Sequence, residues 1–281
     1  MLLSPPPGSL GQLATRYTSQ LHSGPVQELL ALALNTQIPP FNSLAARQAV
    51  NYAIDQNTMI ALNGGPQTAQ PACQFLPPTM PGYQPYCPYT LHPGPGGAWT
   101  APDLARAQQL VRTSGTLGDT VKVPSFQGGP PGPATASYLA SVLDQLGYRA
   151  SVRSFSASAQ TYDSRARMQL NYIFWGADFP APWDFIGPLF TCSHFDSPAN
   201  VNAAEFCDPR IDTQVQQALT LQAQGLAAAA PSWAAIDHEL VDQAPYVPLS
   251  NPRDLTVLST RVGNYQFHPY WNLLIDQLWV R

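Results

Sequence analysis

Hydrophobic positions along this chain alternate between unbroken runs and helical spacing, and proline or glycine closes almost every segment. The run Leu29–Leu34 carries apolar residues at every position before Asn35 and Pro39-Pro40, which predicts a strand buried on both faces. Asn171–Trp175 is dominated by β-forming residues and is bounded by Gly176 and nearby prolines, so it reads as a second strand. Between them, Thr120–Phe126 predicts a strand. Ala134–Leu146 predicts a helix with Leu139, Val142/Leu143 and Leu146 inward, closed by Gly147. Arg149–Phe155 then predicts a second strand. That order is a βαβ unit, which requires a right-handed crossover on a parallel sheet, and strand 171–175 is expected to join that sheet.

The remaining elements are mainly helical. Ser43 is placed to cap a helix with Ala46, Ala49/Val50 and Ala53 on one face, and Asn57–Asn63 forms a shorter one stopped by Gly64-Gly65. Thr100 and Pro102 open a helix with Leu104, Ala107 and Val111 on one face, ended by Gly115. Asp208–Ala223 and Ser232–Gln243 read as two more, the second with Trp233, Ile236 and Leu240 in register. Residues 1–28 form a lead-in with a short helix at Leu10–Tyr17, and residues 66–100 form a long ordered loop rich in proline and glycine. The last part is strand-like at Tyr246–Leu249 and Leu255–Leu258. It is followed by an aromatic tail of Tyr265, Phe267, Tyr270, Trp271 and Trp279. The pattern as a whole is an α/β fold, of one large domain or two modest ones.

Composition narrows the function. Net charge is −4, only 11% of residues are charged, and Lys122 is the sole lysine. Without a basic run, nucleic acid and anionic membrane are unsuitable partners. No apolar run reaches the roughly 18–20 residues of a membrane span. The amino-terminal stretch lacks the basic start and continuous apolar core of a signal peptide, and it has no lipid-anchoring cysteine. The 4 cysteines point the other way. Cys73 and Cys87 bracket one loop rich in proline, and Cys192 and Cys207 bracket another rich in asparagine and serine, with spacings unlike a zinc site. Two disulfides, 73–87 and 192–207, are expected, with free buried thiols as the alternative; each bridge would be worth about 3 kcal/mol by loop entropy, and together they imply an oxidising compartment.

Enzymatic motifs are missing. There is no nucleophile elbow, no metalloprotease His-Glu pair, no nucleotide-binding glycine loop and no evident carboxylate pair. His238, between Asp237 and Glu239, reads as part of a solvated helix face. His194, in the second cysteine loop, is a candidate cleft residue, although loop histidines are common. The passage Trp175-Gly176-Ala177-Asp178 holds more chemistry, because it puts a carboxylate just beyond a strand's carboxyl end, where open α/β sheets bind ligands. Asp178 is therefore a candidate for holding a cation or amine. The plainer alternative is a cap on a helix starting near Pro182–Trp183. Trp175, Phe179 and Trp183 are candidate walls, with core packing as the alternative. Arg165 or Arg167 could meet a ligand carboxylate, against a solvated helical role.

This passage resembles the extracytoplasmic solute-binding proteins of peptide ABC importers, family 5. Trp175, Ala177, Asp178 and Pro182 match that family's W-x-A-D-Y-x-x-P segment, with Phe179 where tyrosine is common. Residues 32–55, 206–215 and 244–281 carry further matches in the family's order. The resemblance implies a type II periplasmic-binding-protein-like lobe over 36–245. It implies a hinge strand and first-lobe remnant over 1–35, and a return segment to the first lobe over 246–281. It implies hinges near Leu34–Thr36 and Val247–Ser250, and a peptide ligand whose α-ammonium pairs with Asp178 beside Trp175, Gly176, Ala177 and Phe179. Permease subunits would be the membrane partners. The full-length protein is expected to be monomeric, extracytoplasmic and lipid-anchored, with no cofactor and no catalysis, and this chain to be a truncated product. A receptor or interaction fragment docking through the 265–281 aromatics is a second reading. Within the family, nickel chelates and sugars are alternative ligands.

Overall fold

The computed structural model describes residues 2–3, 5–126, 132–155, 168–195 and 201–281. Arg165 and Arg167 lie outside these. The strands are β1 (Leu2–Leu3), β2 (Leu21–Pro25), β3 (Glu28–Leu34), β4 (Ala69–Pro71), β5 (Thr120–Phe126), β6 (Arg149–Phe155), β7 (Leu170–Gly176), β8 (Tyr246–Val257), β9 (Val262–Gly263), β10 (Phe267–His268), β11 (Asn272–Leu273) and β12 (Trp279–Val280). The helices are α1 (Leu10–Arg16), α2 (Leu44–Ala53), α3 (Gln56–Leu62), α4 (Leu104–Ser114), α5 (Pro133–Gln145), α6 (Trp183–Phe190), α7 (Pro209–Gln222) and α8 (Leu226–Gln243).

The unbroken apolar run becomes the centre of the fold. β3 lies between β7 and the first part of β8, antiparallel to both. Its two faces feed two apolar clusters. Leu29, Ala31 and Ala33 pack with Ile173 against α6, α7, α8 and the Cys73–Cys87 loop. Leu32 and Leu34 pack with Leu170 and Tyr172 against α2, α4 and α5. Strands covered on both sides have no solvent face to mark with polar residues, which is why LLALAL does not alternate.

β5, α5 and β6 form the expected parallel unit, from Thr120↔Arg149 to Phe126↔Phe155. Strand β7 does not join that pair, contrary to the sequence expectation. It pairs with β3 along its full length. The link to β5 is made instead by a side chain. Gln169 accepts the Lys122 N–H at 2.9 Å and donates to the carbonyls of Thr120 and Pro39, both at 2.9 Å. A glutamine amide stands there where a strand ladder was expected.

Helix entries follow the capping rules only in part: Ser43 stands at the N-cap of α2 as expected, but its side chain makes no cap hydrogen bond. Asp103, not Thr100, caps α4, accepting the Arg106 N–H at 2.9 Å, while Thr100 bonds Thr90. Gly115 closes α4 in the left-handed conformation, φ 77°. Asp208 caps α7 by accepting the Arg210 N–H. α8 begins at Leu226, earlier than the sequence suggests, and carries Pro231 within it. β8 is one strand through both of its prolines, because Pro248 falls where the pairing with β3 shifts register and Pro252 pairs only with short β4. The second half of β8 leaves β3 and pairs with β2 and β1. The tail folds back as two small hairpin pairs, β9 with β12 and β10 with β11.

Both disulfides form as expected, Cys73–Cys87 and Cys192–Cys207. The first loop is fixed to α8 from several points. Tyr86 donates to the Asp242 carboxylate at 2.6 Å, Tyr89 donates to the Val241 carbonyl, and His238 bonds the Gln84 carbonyl and stacks on Tyr86. His238 is thus a half-buried packing residue, not a freely solvated one.

Candidate functional site

At the carboxyl end of β7 the backbone pairing continues one step further, since Ala177 N–H donates to the Gln27 carbonyl at 2.9 Å. The chain then turns through Asp178 and Phe179 into α6. Asp178 is not the helix cap; Pro182 occupies that position. Instead, Asp184 in the first turn of α6 reaches back, and one of its carboxylate oxygens accepts the Asp178 N–H at 2.7 Å. Trp175 is half-buried against the apolar cluster beneath, and its indole Nε1–H donates to the Asp184 carbonyl at 2.9 Å. The Asp178 carbonyl accepts from the Tyr270 hydroxyl, 92 residues further along the chain.

These contacts use the backbone of Asp178 and leave its side chain free. Asp178 is exposed, and among the described residues no donor bonds its carboxylate. Phe179 beside it is 43% exposed, while Gly176 and Ala177 are half-buried. Asp184 is only 3% exposed. Burial pushes its carboxyl above the usual range and the nearby Asp178 charge adds to that, while the hydrogen bond from the Asp178 N–H opposes it. So two carboxylates sit side by side with separate tasks. One holds the loop from within, and the other faces solvent.

Glu28 lies opposite Gly176 in the β3–β7 register. A Cβ on Gly176 would meet the Glu28 side chain at 3.4 Å, so the glycine allows the close approach. Burial, then the charge of Asp254, raises the Glu28 carboxyl. The end of the sheet that carries Asp178 is therefore acidic. Its chemistry suits an ammonium or another compact cation.

The sequence reading places Trp175, Gly176, Ala177, Asp178 and Phe179 together simply by adjacency. It misses Asp184 and Glu28. Asp184 leaves one signal, an acid in the first turn of a helix six residues after the candidate carboxylate, close enough to fold back on it. Glu28 leaves none, because its place beside Gly176 depends on strand register. Trp183 packs against the apolar cluster and lies over Gly187. His194 bonds Thr191 and Ser193 through Nδ1, within the turn that follows α6. Cys192 and Cys207 fix that turn to the entry of α7, and the Cys192 N–H donates to Asp212. A cavity of about 700 Å³ lies elsewhere, lined by Lys122, Pro124, Arg153, Phe155 and Gln169, and none of its walls comes from the 175–179 loop.

Known proteins place this architecture. The probable di/tripeptide-binding protein 5 of Pseudomonas aeruginosa is 26% identical over 281 residues, covering 95% of this chain and 49% of that protein. The nickel-binding periplasmic protein of Escherichia coli is 28% identical, covering 90% of this chain and 48% of that protein. The solved structure of clavulanic acid biosynthesis oligopeptide binding protein 2 superposes with a TM-score of 0.82 at 23% identity, over 96% of this chain and 50% of that one. The chain thus spans about half the length of the curated relatives it matches. Members of this group are substrate-binding transport proteins of the periplasm or cell exterior, and among the described residues no helix is long and apolar enough to cross a membrane. The family model for these proteins matches residues 1–197, well over half of the sequence, and the chain belongs to the bacterial extracellular solute-binding proteins, family 5.

Proposed function

We propose that this chain forms the ligand-holding part of the solute-binding component of an ABC importer, and that its ligand is a short peptide gripped by its free amino end. The observation that carries this reading is the Asp178 carboxylate. It is exposed at the end of β7, bonded to no described residue, on a loop whose backbone is fixed by neighbouring elements. Such a carboxylate is already oriented when the ligand arrives, so little ordering cost is added on binding. The ammonium group of a peptide supplies charge-assisted hydrogen bonds that match it. Trp175, Gly176, Ala177 and Phe179 form the ligand's immediate surroundings.

In this reading residues 36–245 are the ligand lobe. Residues 1–35 and 246–281 reach toward the first lobe, with β3 and β8 as the crossing strands. The change in the partners of β8, from β3 to β2 and β1, supports a crossing there. Closure of two lobes about these strands is read by permease subunits in the membrane. The full-length protein acts as a monomer outside the cytoplasm, exported and lipid-anchored, with no cofactor, no nucleic acid and no catalytic step. The named nickel-binding relative keeps a second ligand class open, a cationic metal chelate, for which the same acidic sheet end is suited.

The test compares a dipeptide or tripeptide bearing a free amino terminus with its N-acetylated form, by calorimetry or NMR titration. Asp178→Ala is expected to weaken the free-amine peptide several-fold or more and to leave the acetylated peptide unchanged. Equal losses for both peptides, or binding of neither, would remove the proposed amine role. Binding of a nickel chelate in place of both peptides would select the second class.

A further inference from the structure

Both backbone polar groups of Asp178 are taken by side chains from other parts of the fold. Its N–H goes to Asp184 of α6 at 2.7 Å, and its carbonyl accepts from Tyr270 in the carboxyl-terminal segment. The peptide planes on either side of its Cα are thereby pinned, which sets the direction in which the side chain leaves the backbone. We propose that Asp184 and Tyr270 are positioning residues for the Asp178 carboxylate, and that they set the protein's preference for a free amino group over a blocked one. The inference rests on the amine-binding reading above.

Tyr270 is itself held in place. The Nδ1 atom of His268 accepts the N–H groups of Tyr270 and Trp271 at 3.1 and 3.2 Å, and the Tyr270 and Trp271 rings meet edge to face at 4.5 Å. The turn between β10 and β11 is thus a rigid arm that carries one hydroxyl to the ligand loop. The Pro269 carbonyl in the same turn accepts the Gln27 N–H at 3.2 Å, and the Gln27 carbonyl in turn accepts the Ala177 N–H. The arm therefore reaches the loop from two directions. Asp184 is the fixed internal counterpart. It is almost fully buried and accepts the Asp178 N–H. A residue that merely packed the tail would not need to end on the carbonyl of the open Asp178 carboxylate's own residue.

The test uses Tyr270→Phe, which keeps the ring and removes the hydroxyl, together with Asp184→Asn and Asp184→Leu. Asn at 184 retains an acceptor for the Asp178 N–H, whereas Leu does not. For each variant the ratio of affinities for the free-amine and N-acetylated peptides is measured alongside the melting temperature. Losing one net hydrogen bond that orients the site is expected to lower the ratio by about 2- to 10-fold for Tyr270→Phe, with affinity for the acetylated peptide unchanged. Asp184→Leu should lower it further, and Asp184→Asn should restore most of it. If Tyr270→Phe lowers the melting temperature and leaves the ratio intact while Asp178→Ala abolishes it, Tyr270 only packs the tail and the inference is wrong. If Asp178→Ala leaves the ratio intact, the amine reading fails and this inference falls with it.

Discussion

Asp237 shows how far a charged residue's environment can depart from what its neighbours suggest. It lies on α8 at 0% exposure and accepts from Gln74 Nε2 at 2.6 Å and from the Phe75 N–H at 3.0 Å. Burial raises its carboxyl to about 6, against the pull of those hydrogen bonds. A carboxyl whose folded pKa exceeds its unfolded one makes the protein more stable at low pH. That contribution is complete below about 4 and is lost as pH rises through about 6. The shift corresponds to roughly 2–4 kcal/mol. Asp237→Asn should therefore flatten the stability change between those pH values, measured by urea unfolding across the range. The variant should also be less stable at acid pH by about 1–3 kcal/mol, because Gln74 cannot turn to meet the new amide: its own Oε1 already accepts the Tyr86 N–H at 2.8 Å. An unaltered pH slope in the variant would show that Asp237 is not the titrating group. The burial of Asp237 was not read from the sequence, although it stands four residues after Trp233 and four before Val241 on one helical stripe. The charged neighbours His238 and Glu239 hide that spacing. Asp178 was legible because its position after a strand is a local fact. Asp184 left only its place in the first turn of the following helix as a signal, and Tyr270, 92 residues further along, left none.

At the scale of elements, the βαβ unit and the core strand β3 could be read because their signals are local: period, cap and turn. Partnership between strands could not. β7 pairs with β3 across more than a hundred residues of sequence, while the tie to β5 passes through one glutamine. No periodicity encodes that choice. Gln169 is a sharp test of the element boundary. Its amide serves the Lys122 N–H and two carbonyls at once, so Gln169→Ala leaves three backbone groups to water or to each other. A cost of about 1–3 kcal/mol is expected, with faster hydrogen exchange at the Lys122 amide while amides within β3 keep their protection. Equal acceleration in β3 would mean that β5 and β7 unfold as a single sheet and that the glutamine is not their separate link. β8 is the other lesson at this scale. Pro248 and Pro252 suggest two strands, yet each falls where a backbone donor is not required, one at a register shift and one opposite the short β4.

For the whole molecule, the two apolar clusters close well around β3, β7 and the start of β8, and the carboxyl-terminal segment does not close in the same way. Tyr265 stacks on His22 at 4.0 Å, and Phe267 lies over Gly24 of β2, so the segment is anchored along one side. Its other side presents Trp271 and Val280, each 68% exposed, and Ile275, 57% exposed, while Leu2 and Leu3 of β1 are also open to solvent. The sequence identified these aromatics as a group but could not tell which of them would find partners. Apolar side chains exposed so widely along one segment favour contact with another surface. In relatives about twice as long, more chain is present to meet such a segment. Alone, this chain is expected to self-associate as its concentration rises, seen by sedimentation velocity. The double substitution Trp271→Ser with Ile275→Ser should shift it toward monomer without lowering the melting temperature, since neither side chain belongs to a buried cluster. Unchanged association in that variant would move the contact elsewhere, to β1 or β6. A chain that stays monomeric at every concentration tested would show that the exposed tail needs no partner, and would count against the crossing-strand reading of β8.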